Sequence, residues 1–179
     1  MRVFATTLVL AALACPLAGT TLQQLTLDEM AQKSTQIVRG KAQISSSALR
    51  GSMIYTHYKV LVTEQWKGNS VSQVDVAVPG GTVNGRRQAF AGTPVFADGQ
   101  EYIFFLWTSR TGLTQIIGLS QGKFDVQPGA AGALMVSRAP ASDRLLDASG
   151  KEVTDSSLAM TLTDFKEKVS KLLAPRAGK

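Results

Sequence analysis

Ile54 to Trp66 carry the longest uninterrupted alternation in the chain: Ile54, Tyr58, Val60, Val62 and Trp66 fall on one face of an extended strand, and Tyr55, His57, Lys59 and Gln65 on the other. Successive side chains point to opposite faces of a strand, so this spacing predicts one apolar face and one wetter face. Such a strand needs neighbours, and the sequence supplies several. Gln36 to Ile44 is predicted as a strand that runs through Ile37 and Val38 to Gly40. Val74, Val76 and Val78 repeat the period before Pro79-Gly80-Gly81 ends it. Asn84-Gly85 is a two-residue hairpin signal, because a type I′ turn needs positive φ at both positions. Tyr102 to Trp107 is apolar on both faces, which predicts a central strand covered on both sides. Thr114 to Val126 reads as a long strand or bent pair with bulges or close backbone approaches at Gly118 and Gly122. Leu134 to Arg138 reads as a further strand, Pro128 to Gly132 as loop, and Ala148-Ser149-Gly150 as a turn between two edge strands.

Helical patterns occur only at the two ends. Thr26-Leu27-Asp28-Glu29 has the form of a capping box opening a short helix that stops near Ser34. Leu162, Phe165, Val169, Leu172 and Leu173 make one apolar stripe, with a cap between Thr161 and Asp164 and a stop at Pro175. Asp164 with Lys168 and Glu167 with Lys171 have the favourable i,i+4 spacing. Many strands joined by Gly-rich turns, with helices at the ends, predict a mainly β fold: an antiparallel barrel flanked by a short N-terminal helix and a C-terminal amphipathic helix. Closure removes exposed edges. A two-sheet sandwich is the competing architecture.

The chain has 179 residues, enough for one domain with a sizeable core and no need of a metal or disulfide. Its single Cys has no intramolecular partner, and its single His is too few for the usual zinc-site patterns. No cofactor or metal is indicated. Residues 1–19 have the layout of a signal peptide: Arg2, then the apolar run Val3 to Leu13, then the small residues Ala14, Ala18 and Gly19. The run is shorter than the roughly 20 residues that cross a bilayer. The expected mature domain is therefore residues 20–179, exported to the periplasm or beyond, with no membrane span. Cleavage after Ala18 or Gly19 discards Cys15. Cleavage after Ala14 would place Cys15 first, in a loose lipobox (Ala12-Leu13-Ala14-Cys15) where it could be acylated as an envelope anchor. Loss of Arg2 leaves 18 Lys and Arg against 13 Asp and Glu. These basic residues are scattered, so no nucleic-acid face is expected.

Several motifs run along the chain: Ile37-Val38-Arg39-Gly40-Lys41-Ala42; Val60-x-Val62 leading to Trp66-Lys67-Gly68; Val76-x-Val78-Pro79-Gly80-Gly81; Phe96-x-x-Gly99-x-x-Tyr102-Ile103-Phe104-Phe105-Leu106; and Gly118-Leu119-x-Gln121-Gly122-Lys123-Phe124. Together they resemble a family of uncharacterised exported bacterial proteins. More distantly, the strand ending in Gly-Lys, the Trp-Lys-Gly and the Phe-x-x-Gly-x-x-Tyr are similar to the netrin-like modules of metalloproteinase inhibitors. That resemblance implies an OB-type barrel. It carries over no catalytic residues, and the disulfides of those modules are missing. The inhibitory N-terminal Cys of such proteins could correspond only to Cys15.

His57 is the only imidazole, so any Ser-His-Asp chemistry must run through it. It is expected on an outward strand face, and no G-x-S-x-G is present. Asp75, Asp98, Asp125 and Asp147 are too scattered in sequence to propose a carboxylate pair. Pro79-Gly80-Gly81 to Gly85 lacks the Lys-Ser/Thr of a phosphate loop. Two surface features stand out. Tyr55, His57 and Lys59 share one strand face, and Asn84, Gly85, Arg86 and Arg87 form a hairpin tip whose guanidiniums suit a carboxylate or phosphate.

The expectation is a non-catalytic exported binding or structural module with a protein partner, such as an exported protease. An anionic-polymer binder and a hydrolase using His57 are the alternatives. Mass spectrometry of the protein recovered from its native envelope is expected to show a mature N-terminus between residues 15 and 20; an unprocessed Met1 would overturn the leader assignment.

Overall fold

The computed structural model describes residues 21–141 and 143–175. The proposed signal peptide (residues 1–19) and Cys15 lie outside the described residues. Among the described residues, thirteen strands and two α-helices follow in order. β1 (Thr21–Gln23), α1 (Leu27–Lys33), β2 (Gln36–Arg50), β3 (Met53–Lys67) and β4 (Gln73–Pro79) make the first half. β5 (Gly81–Val83), β6 (Arg86–Gln88), β7 (Glu101–Thr108), β8 (Thr114–Ile116) and β9 (Lys123–Pro128) come next. β10 (Leu134–Arg138), β11 (Arg144–Leu146), β12 (Glu152–Val153), β13 (Leu158–Thr161) and α2 (Leu162–Leu173) complete the chain.

The main sheet is antiparallel in the order β13-β10-β9-β7-β2-β3-β4, with β8 also paired to β7. β7 is central, as expected, and its two faces feed two cores. Tyr102, Phe104 and Leu106 join Val38, Ala42, Val60, Val74, Val76 and Ile116 on one side. Ile103 and Phe105 join Ile37, Phe124, Val126 and Val136 beneath the helices, where α1 contributes Met30 and Ala31 and α2 contributes Phe165 and Val169. Phe165 is fully buried, with ring centroids 4.8 Å from Phe124 and 6.4 Å from Phe105.

The helix ends behave as their sequences require. The Thr26 hydroxyl accepts the Glu29 amide at 3.2 Å while the Glu29 carboxylate accepts the Thr26 amide at 2.9 Å, closing the capping box. At the other end of α1, the Lys67 amine donates to the carbonyls of Ala31 and Gln32 at 2.8 and 2.9 Å. That places a cation on the negative pole of the helix. Thr161 caps α2 by accepting the Asp164 amide at 3.1 Å. Asp164 also accepts the Thr161 hydroxyl, so it serves the cap, whereas Glu167 and Lys171 form the expected ion pair at 2.6 Å. Lys166 reaches Glu64 of β3 and ties α2 to the sheet.

Three expectations are corrected. The antiparallel sheet does not close: among the described residues no closed barrel forms, and β13 and β4 end the hydrogen-bonded path. The three-residue β8 lies beside β4, with Ala77 and Val78 facing Gln115 and Ile116 across a crevice. It then turns away through Gly118 in a left-handed conformation (φ 63°) before it can build a ladder. Second, β2 continues past Ile44 to Arg50, because its polar end Ser46 to Arg50 pairs with Met53 to His57. Third, Trp66 does not share a face with Val62. The register shift opposite Arg39/Gly40 leaves Thr63 as an extra residue in β3 between Val62 and Trp66, and one extra residue moves those after it to the other face; Trp66 is itself the extra residue opposite Ile37/Val38. Trp66 accordingly packs in the helix-side core, 6.1 Å from Phe165. The edge strands expected on either side of Ala148-Ser149-Gly150 are β11 and β12, and β1, which the sequence did not signal, pairs in parallel with β11 to make a small second sheet.

Phe165→Ala removes the ring on which the helix-side core converges. It is expected to lower stability by about 3–5 kcal/mol, read from urea unfolding midpoints at constant slope.

Candidate functional site

The hairpin β5–β6 is a separate two-stranded ribbon folded over one end of β2 and β3. Two glycines allow the crossing. Gly80 and Gly81 both have positive φ (103° and 131°), and a Cβ on Gly81 would strike the Thr56 and Ser47 hydroxyls. The ribbon is then pinned by side chains. Thr56 donates to the Gly80 carbonyl at 2.8 Å, the Ile54 amide donates to Gln88 Oε1 at 2.6 Å, and Gln88 Nε2 donates to the Ser52 carbonyl at 2.8 Å. At the tip Asn84 (φ 49°) and Gly85 (φ 75°) take the two left-handed positions that their sequence predicts.

Between this ribbon, the end of β4 and the segment 89–95 lies an open groove of about 500 Å³. Tyr58 and Val78 of the sheet, Thr82 and Arg87 of the ribbon, and Phe90, Pro94 and Val95 of the segment are among its lining residues. No Asp or Glu lines it. Arg87 has no ion pair among the described residues, whereas Arg39, Lys123 and Arg138 are each held by a carboxylate. Val95 is 77% exposed and Phe90 39%, so the groove has an apolar rim open to water. Burial pushes the Tyr58 phenol up, with the neighbouring Tyr102 adding to the effect, so the hydroxyl keeps its proton.

The surface residues named from sequence divide between two faces. Arg87 lines the groove, as do Tyr58 and Thr56. Tyr55, His57 and Lys59 sit at alternate positions on the opposite face of β3, beside Pro79, Ala77 and Asp75 of β4. Arg86, one residue from Arg87 on the ribbon, points to the ribbon's other side. Asn84 and Gly85 shape the tip and hold Arg86 and Arg87 in register with Val83 and Thr82.

His57 Nδ1 lies 2.7 Å from Asp75 Oδ2, diagonally across the strands, and Ser46 is its register partner on β2. A hydrolytic relay would need a hydroxyl on the other ring nitrogen. No Ser46–His57 hydrogen bond occurs among the described residues, and the Asp75 side chain is 62% exposed. The pair is a cross-strand contact in water. No group of three or more His, Cys, Asp or Glu able to hold a metal occurs among the described residues.

Sequence reading missed the groove itself. Its walls come from residues on three segments, and the only local signal was the pair of large apolar residues Phe90 and Val95 in a stretch rich in small and turn-forming residues. It also missed a close approach behind the segment. Gly92 (φ 69°) backs onto the carboxyl of Asp143, where any Cβ would collide with it. Both Asp143 oxygens are buried without a hydrogen-bond partner. Burial raises the Asp143 pKa, against a smaller opposing effect of its own backbone amide. Asp155 goes the other way. Burial pushes it up, but the amides of Ala141 and Ser156 and the paired Arg138 guanidinium outweigh this and lower it.

Compared with known protein families, curated proteins and solved structures, the chain matches none, so the reading of the site rests on its own geometry.

The raised Asp143 pKa fixes a sign. Its carboxyl supports the fold fully below about 3.9, the usual unfolded Asp value, and loses that support as pH rises through the higher folded value. Asp143→Asn is expected to gain stability relative to the unmodified protein as pH goes from 4 to 7, measured as the difference in denaturant midpoints. A difference that stays flat with pH would refute the assignment.

Proposed function

We propose that the protein is a non-catalytic binding module, exported to the cell envelope or beyond, that engages a protein partner through the β5–β6 ribbon. The observation that carries this reading is the ribbon with its groove: a pinned hairpin presenting an unpaired guanidinium above an apolar-rimmed depression. The scaffold is an OB-like, incompletely closed barrel in this reading, with the ribbon at one mouth. An exported protease is one partner class that fits such an inhibitor-like module.

Fixed geometry supports a binding role. Gln88, Thr56 and two positive-φ glycines hold the ribbon against the sheet, so little ordering cost is left for the moment of binding. Large exposed apolar groups beside an unpaired cation are the composition of a recognition surface. Two other readings have a specific observation each. Arg86 and Arg87 together suit an anionic polymer, and the His57–Asp75 contact suits a hydrolase.

The test is cross-linking in the native envelope followed by mass spectrometry, with two variants compared with the unmodified protein. The cross-linked partner is expected to survive His57→Ala and to be lost in the Arg86→Ala/Arg87→Ala double variant, with the folded fraction unchanged in both. Loss of a turnover activity with His57→Ala would sink the non-catalytic reading. Retention on heparin that falls steeply with salt and with the double variant would favour the polymer binder.

A further inference from the structure

The groove is rich in hydrogen-bond donors and poor in acceptors that carry charge. Arg87 contributes a guanidinium with no carboxylate partner, and the Tyr58 phenol and Thr82 hydroxyl make no hydrogen bond among the described residues. Each of these groups can donate to an oxygen. A guanidinium on a wall without Asp or Glu suits a carboxylate or a phosphate, either of which it can grip through two parallel N–H bonds, and the apolar surface beside it favours a carboxylate carried by a peptide. The rest of the lining is mixed: Thr56, Gln88 and Thr93 are polar, and Val78, Phe90, Pro94 and Val95 supply apolar surface. A polyanion has nothing to bury there, whereas a bulky apolar side chain would remove Phe90 and Val95 from water at about 25 cal/mol per Å². The volume of about 500 Å³ is that of a site for a few residues, not for a broad interface.

We infer that the groove takes an extended segment of the partner in which an Asp or Glu stands next to a large apolar residue, the carboxylate meeting Arg87 and the apolar side chain lying against Phe90 and Val95. This rests on the ribbon being the binding face and specifies its ligand. The opposite orientations of Arg86 and Arg87 provide the internal control. Both sit on the same ribbon and carry the same charge, but only Arg87 lines the groove.

The experiment is selection of a phage-displayed random heptapeptide library on the purified mature protein, followed by fluorescence polarisation with the enriched peptides. Enriched sequences are expected to pair Asp or Glu with Leu, Ile, Phe or Trp. Affinity is expected to fall at least tenfold in Arg87→Glu and in Val95→Ser, and to change less than threefold in Arg86→Glu, all three keeping the circular dichroism and unfolding midpoint of the unmodified protein. No enrichment over a bare surface overturns the inference, as does enrichment without acidic residues or binding indifferent to Arg87→Glu. Runs of acidic residues displaced by heparin fragments overturn it in favour of a polyanion surface. Should Arg86→Glu alone abolish both peptide and partner binding, the ribbon remains the binding face and the groove assignment fails. If neither arginine affects the cross-linked partner, the ribbon reading fails as well.

Discussion

β7 has five consecutive buried residues, Tyr102 to Leu106, and a strand that apolar cannot stand in a one-sided sheet. Both of its faces must be covered, and the two covers are of different kinds. On one side the sheet curls on itself, so that β2, β3, β4 and β8 enclose Tyr102, Phe104 and Leu106. On the other, α1 and α2 lie over Ile103 and Phe105. Everything else in the molecule answers to this demand. The capping box and Thr161 set where the helices begin, Lys67 and Lys166 fasten them to β3, and the curl brings the end of β4 to the place where the ribbon and the groove are built.

The residues that make this sequence distinctive are spent on that architecture. Lys67 of the Trp-Lys-Gly motif caps α1, while Gly68 (φ 88°) passes close to the backbone of Thr35 and Gln36. The Tyr102 hydroxyl accepts the Ala97 amide at 2.9 Å, which places Phe96 edge-on to Tyr58 and Tyr102. Gln121 is buried and bridges the Leu25 amide and the Gln23 carbonyl. Gly40 and Gly122 are positions where a Cβ would strike a carbonyl of the neighbouring backbone. Such residues identify a fold and say little of activity, whereas Tyr58, Arg87, Phe90 and Val95 of the groove belong to none of those motifs.

What could be read from sequence was local. The Asn84-Gly85 turn, the Thr26 and Thr161 caps and the doubly apolar Tyr102–Leu106 run each depend on a few adjacent residues, and each is present as expected. What could not be read depends on a partner strand. Ser46 to Arg50 has little intrinsic strand preference and is extended because β3 lies beside it. The bulges that turn Trp66 to the helix side leave no mark in the alternation, and the open seam between β4 and β8 follows from the shortness of β8. The candidate site was half legible: Arg87 was named, but its groove partners Phe90 and Val95 become neighbours only after the ribbon folds back.

The parallel pairing of Thr21–Gln23 with Arg144–Leu146, reinforced by the Gln24 amide donating to the Leu146 carbonyl at 2.8 Å, has a kinetic meaning. Chain emerges from synthesis N-terminus first, so β1 waits without a strand partner until nearly the whole sheet has been made. Its pairing is among the most non-local in the molecule and is rewarded only after a long loop has closed. The residues that come first in the described chain thus depend on residues 144–146 for their only strand partner among the described residues, and β1 can seal the domain only after those are in place.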